Sequence, residues 1–307
     1  MKKYPLSKND TVHQAIVAIL SSLTGLIDKN RPVSAASASD PETLHDYRVA
    51  LRRTRCLVSQ FRTVFHKRKI KHFRQEFAWL FSATSKVRDI DVHLDDLQYY
   101  KTLLPACLHN DLLILDNHLR VEQEKAYEEM LAVLASDRHK ALSEDWQNYL
   151  ADPELIRQQF ANLAVFPVAN ASIQENYFAL IKSGQSLQLG SADDSFHDLR
   201  KRCKKLRYLI DFFMPLYATD GIQPLVEGLK TLQDNLGRHQ DVCVQMQFLQ
   251  TLPVENKALS DCLLERLQTE KHKQQLEFKY HFFNFLSHKM PGSNAWVRFT
   301  SNHDRTL

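Results

Sequence analysis

The chain has 307 residues, is 44% hydrophobic and 25% charged, and carries a formal net charge of only +4. Those values describe a globular protein with a sizeable core. Its 7 glycines argue against a glycine-rich phosphate loop or a dinucleotide fingerprint, and neither G-x-G-x-x-G nor G-x-x-x-x-G-K occurs, which sets aside the common nucleotide-dependent enzyme classes.

Taken in chain order, apolar residues at a 3.6-residue period predict helices over 8–29, 42–65, 68–99, 106–135, 139–150, 171–189, 194–214, 222–250 and 255–289. Prolines and small polar clusters fall in the gaps, and strand-like alternation is nearly absent. The reading is an all-α protein. The first helix has the outline of a signal peptide: Met1-Lys2-Lys3, an apolar run Ala15–Ile27, then small residues Ser34–Ser39. Asp10 and His13 precede that run, Ser21, Ser22 and Thr24 dilute it, and Asp28, Lys29 and Arg31 follow it, so an amphipathic helix and a short loop fit better. No stretch reaches the roughly 18 uninterrupted apolar residues of a membrane span. Asp40-Pro41-Glu42 opens the second helix with a cap, a first-turn proline and an acid. Asp194 or Ser195 is placed to cap the helix carrying His197.

The small net charge hides two basic concentrations. Residues 45–74 hold ten Lys/Arg and the single acid Asp46, and residues 197–208 hold six and the single acid Asp198. They are related by an offset of 152 positions, a period far longer than a solenoid's. His45, Asp46 and Arg48 fall on His197, Asp198 and Arg200; Arg52, Arg53 and Arg55 fall on Lys204, Lys205 and Arg207. Further on, Lys86 falls on Arg238, Asp89 on Asp241 and Val92 on Val244. We read this as duplication of a helical unit, with units at 1–150 and 151–307.

On a helical wheel, Tyr47, Leu51, Thr54, Val58, Phe61 and Phe65 share one face, as do Leu199, Cys203, Leu206, Ile210 and Phe213; these are the expected core faces. His45, Arg48, Arg52 and Arg55, and likewise His197, Arg200, Lys204 and Arg207, form a stripe beside the core face. A solvated face usually mixes signs, whereas like charges one turn apart repel by about 0.2–0.5 kcal/mol per pair. A stripe of one sign kept on two helices points to an anion, and the rise of about 5.4 Å per turn suits an extended anionic chain.

These residues resemble a known family. His45-Asp46-Tyr47-Arg48-Val49-Ala50-Leu51-Arg52-Arg53-Thr54-Arg55, residues 197–208, and Leu236-Gly237 through Asp241 and Val244 are similar to the motifs of CHAD domains, the conserved histidine α-helical domains. The sequence departs from the pattern at Cys243, where the family has a second acid, and at Ser85, where it has glycine. The resemblance implies two four-helix-bundle-like halves with pseudo-two-fold symmetry, and a basic surface or pore between them that binds inorganic polyphosphate. It makes His45, Arg48, Arg52, Arg55, His197, Arg200, Lys204 and Arg207 the contact residues, with Arg53 and Lys205 pointing further out and Lys86 and Arg238 extending the surface. It implies binding without catalysis, no cofactor, and association with polyphosphate granules in the cytoplasm. Many relatives carry a fused triphosphate-tunnel domain marked by E-x-E-x-K; Glu122-Gln123-Glu124-Lys125 has the wrong spacing, and the expectation is a stand-alone protein.

Two rivals remain at this stage. The His45-Asp46 and His197-Asp198 dipeptides suggest an all-helical metal-dependent phosphohydrolase, with His13 and Asp89 as further ligands, although adjacent helical residues diverge by about 100°. The run His66–Arg74 suits a nucleic-acid backbone, but it has no counterpart in the second half, so only weak phosphate contacts are expected. The odd count of five cysteines, with no C-x-x-C, argues against a disulfide framework and for a reducing compartment. A repeated metal site is not expected, because Asp89, Asp91 and His93 correspond to Asp241, Cys243 and Gln245.

Overall fold

A computed structural model of the chain describes residues 4–32, 41–253 and 257–287. They are helical almost throughout, and the only β features among them are the isolated antiparallel bridges Thr11–Ala164 and Phe65–Ile156. The helices are α1 (Val12–Lys29), α2 (Pro41–Gln60), α3 (Lys67–Ala83), α4 (Ser85–Leu103), α5 (His109–Ala135), α6 (Asp137–Ala151), α7 (Gln158–Ala161), α8 (Val165–Gln185), α9 (Asp193–Phe213), α10 (Thr219–Gln250) and α11 (Lys257–Ser287). None of the helices is long and apolar enough to cross a membrane, among the described residues.

The Thr11 side chain accepts from the Gln14 amide while Gln14 reaches back to the Thr11 amide, a reciprocal cap that starts α1. The proposed cap Asp40 lies outside the described residues. The proposed caps Asp194 and Ser195 sit inside α9 instead, because the helix begins at Asp193 behind Ala192, which offers no capping side chain. Asp193 and Asp194 then favour the first turn through the helix dipole.

The sequence predicted one helix over 68–99, and the structure has two. Thr84 ends α3 at φ −96°, ψ 1°. Its hydroxyl donates to the Phe81 carbonyl at 2.9 Å and the Ser85 hydroxyl donates to the same oxygen at 3.2 Å. Adjacent hydroxyls that bond back onto the backbone compete with the helical ladder, and here they interrupt it. At the corresponding place in the second half, Leu236 and Gly237 carry no such hydroxyls, and α10 runs through unbroken.

The contacts fall into two compact units. The N-terminal unit comprises Tyr4–Val168 with Gln245–Leu267, and the described part of the C-terminal unit is Ala169–Val244 with residues 268–287. In the N-terminal unit α1 packs on α2, α2 on α3, and α4 on α5. Trp146 of α6 meets Phe73 and Phe77 of α3 edge-on, each at 4.9 Å, and its indole N–H donates to Thr24 of α1 at 2.9 Å. In the C-terminal unit Phe196 of α9 meets Phe278 of α11 at 5.4 Å, and Tyr177 of α8 meets Phe285 of α11 at 5.8 Å. Both assigned core faces are buried: Tyr47, Leu51, Thr54, Val58, Phe61 and Phe65 in one unit, Leu199, Cys203, Leu206, Ile210 and Phe213 in the other. Each buried Leu, Val, Ile or Phe among them contributes about 1.5–3 kcal/mol through the water it sheds. That burial fixes the rotation of α2 and α9, and so where their basic edges point. The five cysteines are free, and Cys107 is exposed.

Candidate functional site

The basic edge of α2 converges on one aromatic ring. The guanidinium of Arg48 lies 4.3 Å from the Phe81 ring centroid, that of Arg55 4.8 Å and that of Arg52 5.6 Å. The negative face of the ring offsets part of the repulsion among the three cations, each such contact being worth about 0.5–2 kcal/mol. Arg88, at the start of α4, adds a fourth guanidinium to the same field, and Asp89 supplies an opposing charge.

Arg48 is the anchor of this group. It is only 7% exposed, and its Nη1 donates to the Thr84 hydroxyl at 2.6 Å, the Phe81 carbonyl at 3.2 Å and the Ser85 hydroxyl at 3.3 Å. Burial, with help from Arg52, pushes its pKa down to about 10, against the opposing pull of Asp89. It stays charged at neutral pH. The α3–α4 break is thus built around the Arg48 guanidinium, and Arg48 holds the edge in place while Arg52 and Arg55 stand half-buried beside it. Desolvation, followed by Arg52, also lowers the pKa of Arg55. His45 stands exposed near the start of α2; partial desolvation and then Arg88 hold its pKa below the ordinary value.

The basic edge of α9 is held by polar partners instead. Arg207 Nη1 donates to Gln233 Oε1 at 3.0 Å, Arg200 lies 3.8 Å from the Asp241 carboxylate, and His197 Nδ1 hydrogen-bonds the Gln240 side chain. Lys204 also acts on Asp241 electrostatically. His197, Arg200, Lys204 and Arg207 are all half-buried.

The remaining assigned residues have distinct places. Arg53 and Lys205 are half-buried as well. Lys86 extends to α5, where its ammonium meets Glu129 at 3.2 Å. Arg238 Nε donates to Gln274 Oε1 at 3.3 Å, in a network that also holds Asn235. In the run 66–74, Ile70 and Phe73 are core residues, and Phe73 stacks on Tyr149 at 4.8 Å, so its ring has no free face for a base. Lys69 pairs with Asp152 at 2.7 Å.

Sequence reasoning missed Phe81 and Arg88. Phe81 follows the buried Leu80 by one position, a spacing that reads as spill-over from the core face. Arg88 corresponds to Gln240 at the 152-residue offset, so a search for repeated cations passes it by.

The arrangement supplies half-buried guanidiniums and an ammonium, held by neighbours on the helix facing them. A guanidinium grips two oxygens of a phosphate at once, and its fixed setting spares the cost of ordering a long side chain on binding.

The sequence matches the CHAD domain family over residues 9–250. No curated protein sequence matches it significantly. Among solved structures, the CHAD domain from the plant Ricinus communis is similar with a TM-score of 0.76 at 21% identity, over 94% of this chain and 96% of that one. PptA from Streptomyces chartreusis is similar with a TM-score of 0.70 at 16% identity, over 91% of this chain and 100% of that one. At these identities the likeness is one of fold.

Proposed function

The chain belongs to the CHAD domain family, and from that membership we propose that it binds inorganic polyphosphate without turning it over. The observation that carries this reading is the convergence of Arg48, Arg52 and Arg55 on Phe81 with Arg88 alongside. A cation cluster costs stability in the free protein, and a polyanion relieves that cost when it binds. Arg52 and Arg55 on α2, and Lys204 and Arg207 on α9, are the contact residues; Arg48 and Arg200 set the edges in position. His45 adds charge when protonated, and His197 stands at the matching place on α9. Cytoplasmic location and association with polyphosphate granules go with this reading.

Duplication of a helical unit is part of the same proposal, and contacts within each unit support it. Arg48 feels Asp89 as Arg200 meets Asp241; His45 feels Arg88 as His197 meets Gln240; Arg55 covers Phe81 as Arg207 meets Gln233. Every one of these positions recurs at the offset of 152 seen in the sequence.

The test is a competition titration on the full chain, with labelled long-chain polyphosphate displaced by unlabelled polyphosphate or duplex DNA at moderate salt. Polyphosphate should win by a wide margin. If DNA displaces it more effectively, the nucleic-acid reading takes its place; release of orthophosphate during incubation with a divalent metal would favour the phosphohydrolase.

A further inference from the structure

We propose that Asp193, His239 and Cys243 form a binding site for a zinc-class divalent metal ion inside the C-terminal unit. The site does not depend on the polyphosphate reading, since it uses none of the residues assigned to that function.

His239 and Cys243 are four residues apart on α10 and therefore share one face of the helix. Asp193 reaches the same point from the first turn of α9. One ligand atom from each residue lies within 4.8 Å of the other two. His239 Nδ1 lies 3.8 Å from Cys243 Sγ, and His239 Nε2 lies 3.5 Å from Asp193 Oδ1. Bond lengths of about 2.3 Å to sulfur and about 2.0–2.2 Å to nitrogen or oxygen place tetrahedral ligands about 3.4 Å apart. Closing the triad around an ion thus requires a contraction of no more than about 1.4 Å.

The chemistry of the donors selects the metal. A thiolate with an imidazole and a carboxylate suits Zn²⁺ or Co²⁺, not Mg²⁺ or Ca²⁺. Only one ring nitrogen can ligate. Nδ1 faces the sulfur at 3.8 Å and Nε2 faces Asp193 Oδ1 at 3.5 Å, so an ion taken by Nδ1 draws the Asp193 carboxylate toward the sulfur side of the ring and leaves Nε2 to the Gln275 side chain, now 3.3 Å away. A flip of the Gln275 amide presents its oxygen to the Nε2–H, the outer hydrogen bond that metal-ligating histidines usually make. His239 and Cys243 are 2% and 6% exposed, while the Asp193 side chain is 44% exposed. The ion therefore enters past Asp193, and a water completes the fourth position.

One group competes with the ion. Lys271 of α11 holds Asp193 Oδ2 at 3.0 Å. That ammonium repels an incoming cation and holds the carboxylate in its present place, while the Cys243 thiol gives up its proton to solvent as the sulfur–metal bond forms. No electron is transferred.

The experiment is a titration of the metal-free, reduced full chain with cobalt(II) chloride, without polyphosphate, read by absorption. One Co²⁺ per chain should give the visible bands of tetrahedral cobalt and the near-ultraviolet thiolate-to-cobalt band. Cys243→Ser should abolish the near-ultraviolet band, and Cys107→Ser, at an exposed cysteine, should leave it intact. Asp193→Asn should weaken binding more than about tenfold, and Lys271→Gln should tighten it. Zinc should displace cobalt and bleach both bands. No thiolate band in the parent chain, or one that survives Cys243→Ser, would overturn the proposal. Should Cys243→Ser lose its helicity, the opposite shifts of the Asp193 and Lys271 variants decide, and unchanged affinity in both would also overturn it.

Discussion

Arg207 donates to Gln233 at 3.0 Å, and 152 positions earlier Arg55 sits 4.8 Å above the ring of Phe81. The two arginines are held in unlike ways, by an amide oxygen in one unit and an aromatic face in the other. The amide satisfies one donor group of Arg207 directly. The ring face leaves the N–H groups of Arg55 at its rim, so the α2 edge keeps more donor capacity for an incoming phosphate.

That difference predicts unequal effects of charge reversal. Arg55→Glu should weaken polyphosphate binding more than Arg207→Glu, and the double variant should weaken it most. Each should lower the slope of log affinity against log salt by about one or more, since each removes at least one phosphate contact. Far-ultraviolet circular dichroism should be unchanged. Titrations at several salt concentrations check both parts.

Arg48 should behave differently. It is buried and makes three hydrogen bonds at the α3–α4 break. Arg48→Met should cost about 1.5–3 kcal/mol of stability, the range for hydrogen bonds to a charged group. Urea unfolding measures that loss. Polyphosphate affinity should fall as well, because the break that presents Phe81 and Arg88 loosens.

Binding should strengthen with acidity. The pKa of His45 is held below its ordinary value of 6.5 in the free protein. A bound polyanion favours the protonated ring, so its pKa is higher in the complex. Binding then takes up a proton: affinity rises as pH falls through the pKa of His45 in the complex and levels off below its lower pKa in the free protein. His45→Gln should flatten that rise, which titrations between pH 5 and 8 will show.

Two glycines should respond in opposite directions. A Cβ on Gly184 would stand 2.1 Å from the Phe282 ring, which is buried and stacked on Phe278. Gly184→Ala should destabilise by about 1–3 kcal/mol through overpacking. Gly237, inside α10, has nothing within 4 Å of that position. Gly237→Ala should stabilise by about 0.4–1 kcal/mol through the unfolded chain. Thermal melts of the two variants compare them directly.

The fold was legible in the sequence because the 3.6-residue apolar period is strong: every residue assigned to the two core faces is buried, Phe61 and Phe65 included although α2 ends at Gln60 before reaching them. The break at Thr84 was not legible. A Thr-Ser pair is common within helices, and only the Arg48 guanidinium docked on it makes the interruption a feature of the site. The stripe was readable as a set of positions but not as a set of roles. Period alone cannot distinguish buried Arg48 from half-buried Arg52, because the difference comes from the helices packed on α2. The Asp193, His239 and Cys243 cluster left one local trace, H-x-x-x-C, and its third member lies on a different helix.

The most direct measurement is a crystal structure of the full chain soaked with a short polyphosphate. The account predicts phosphate density within hydrogen-bonding distance of Arg52 or Arg55 on α2, and of Lys204 or Arg207 on α9. Phosphates seated on other residues, such as the exposed Lys67, Arg68 and Lys71 of α3, with both edges bare, would contradict it.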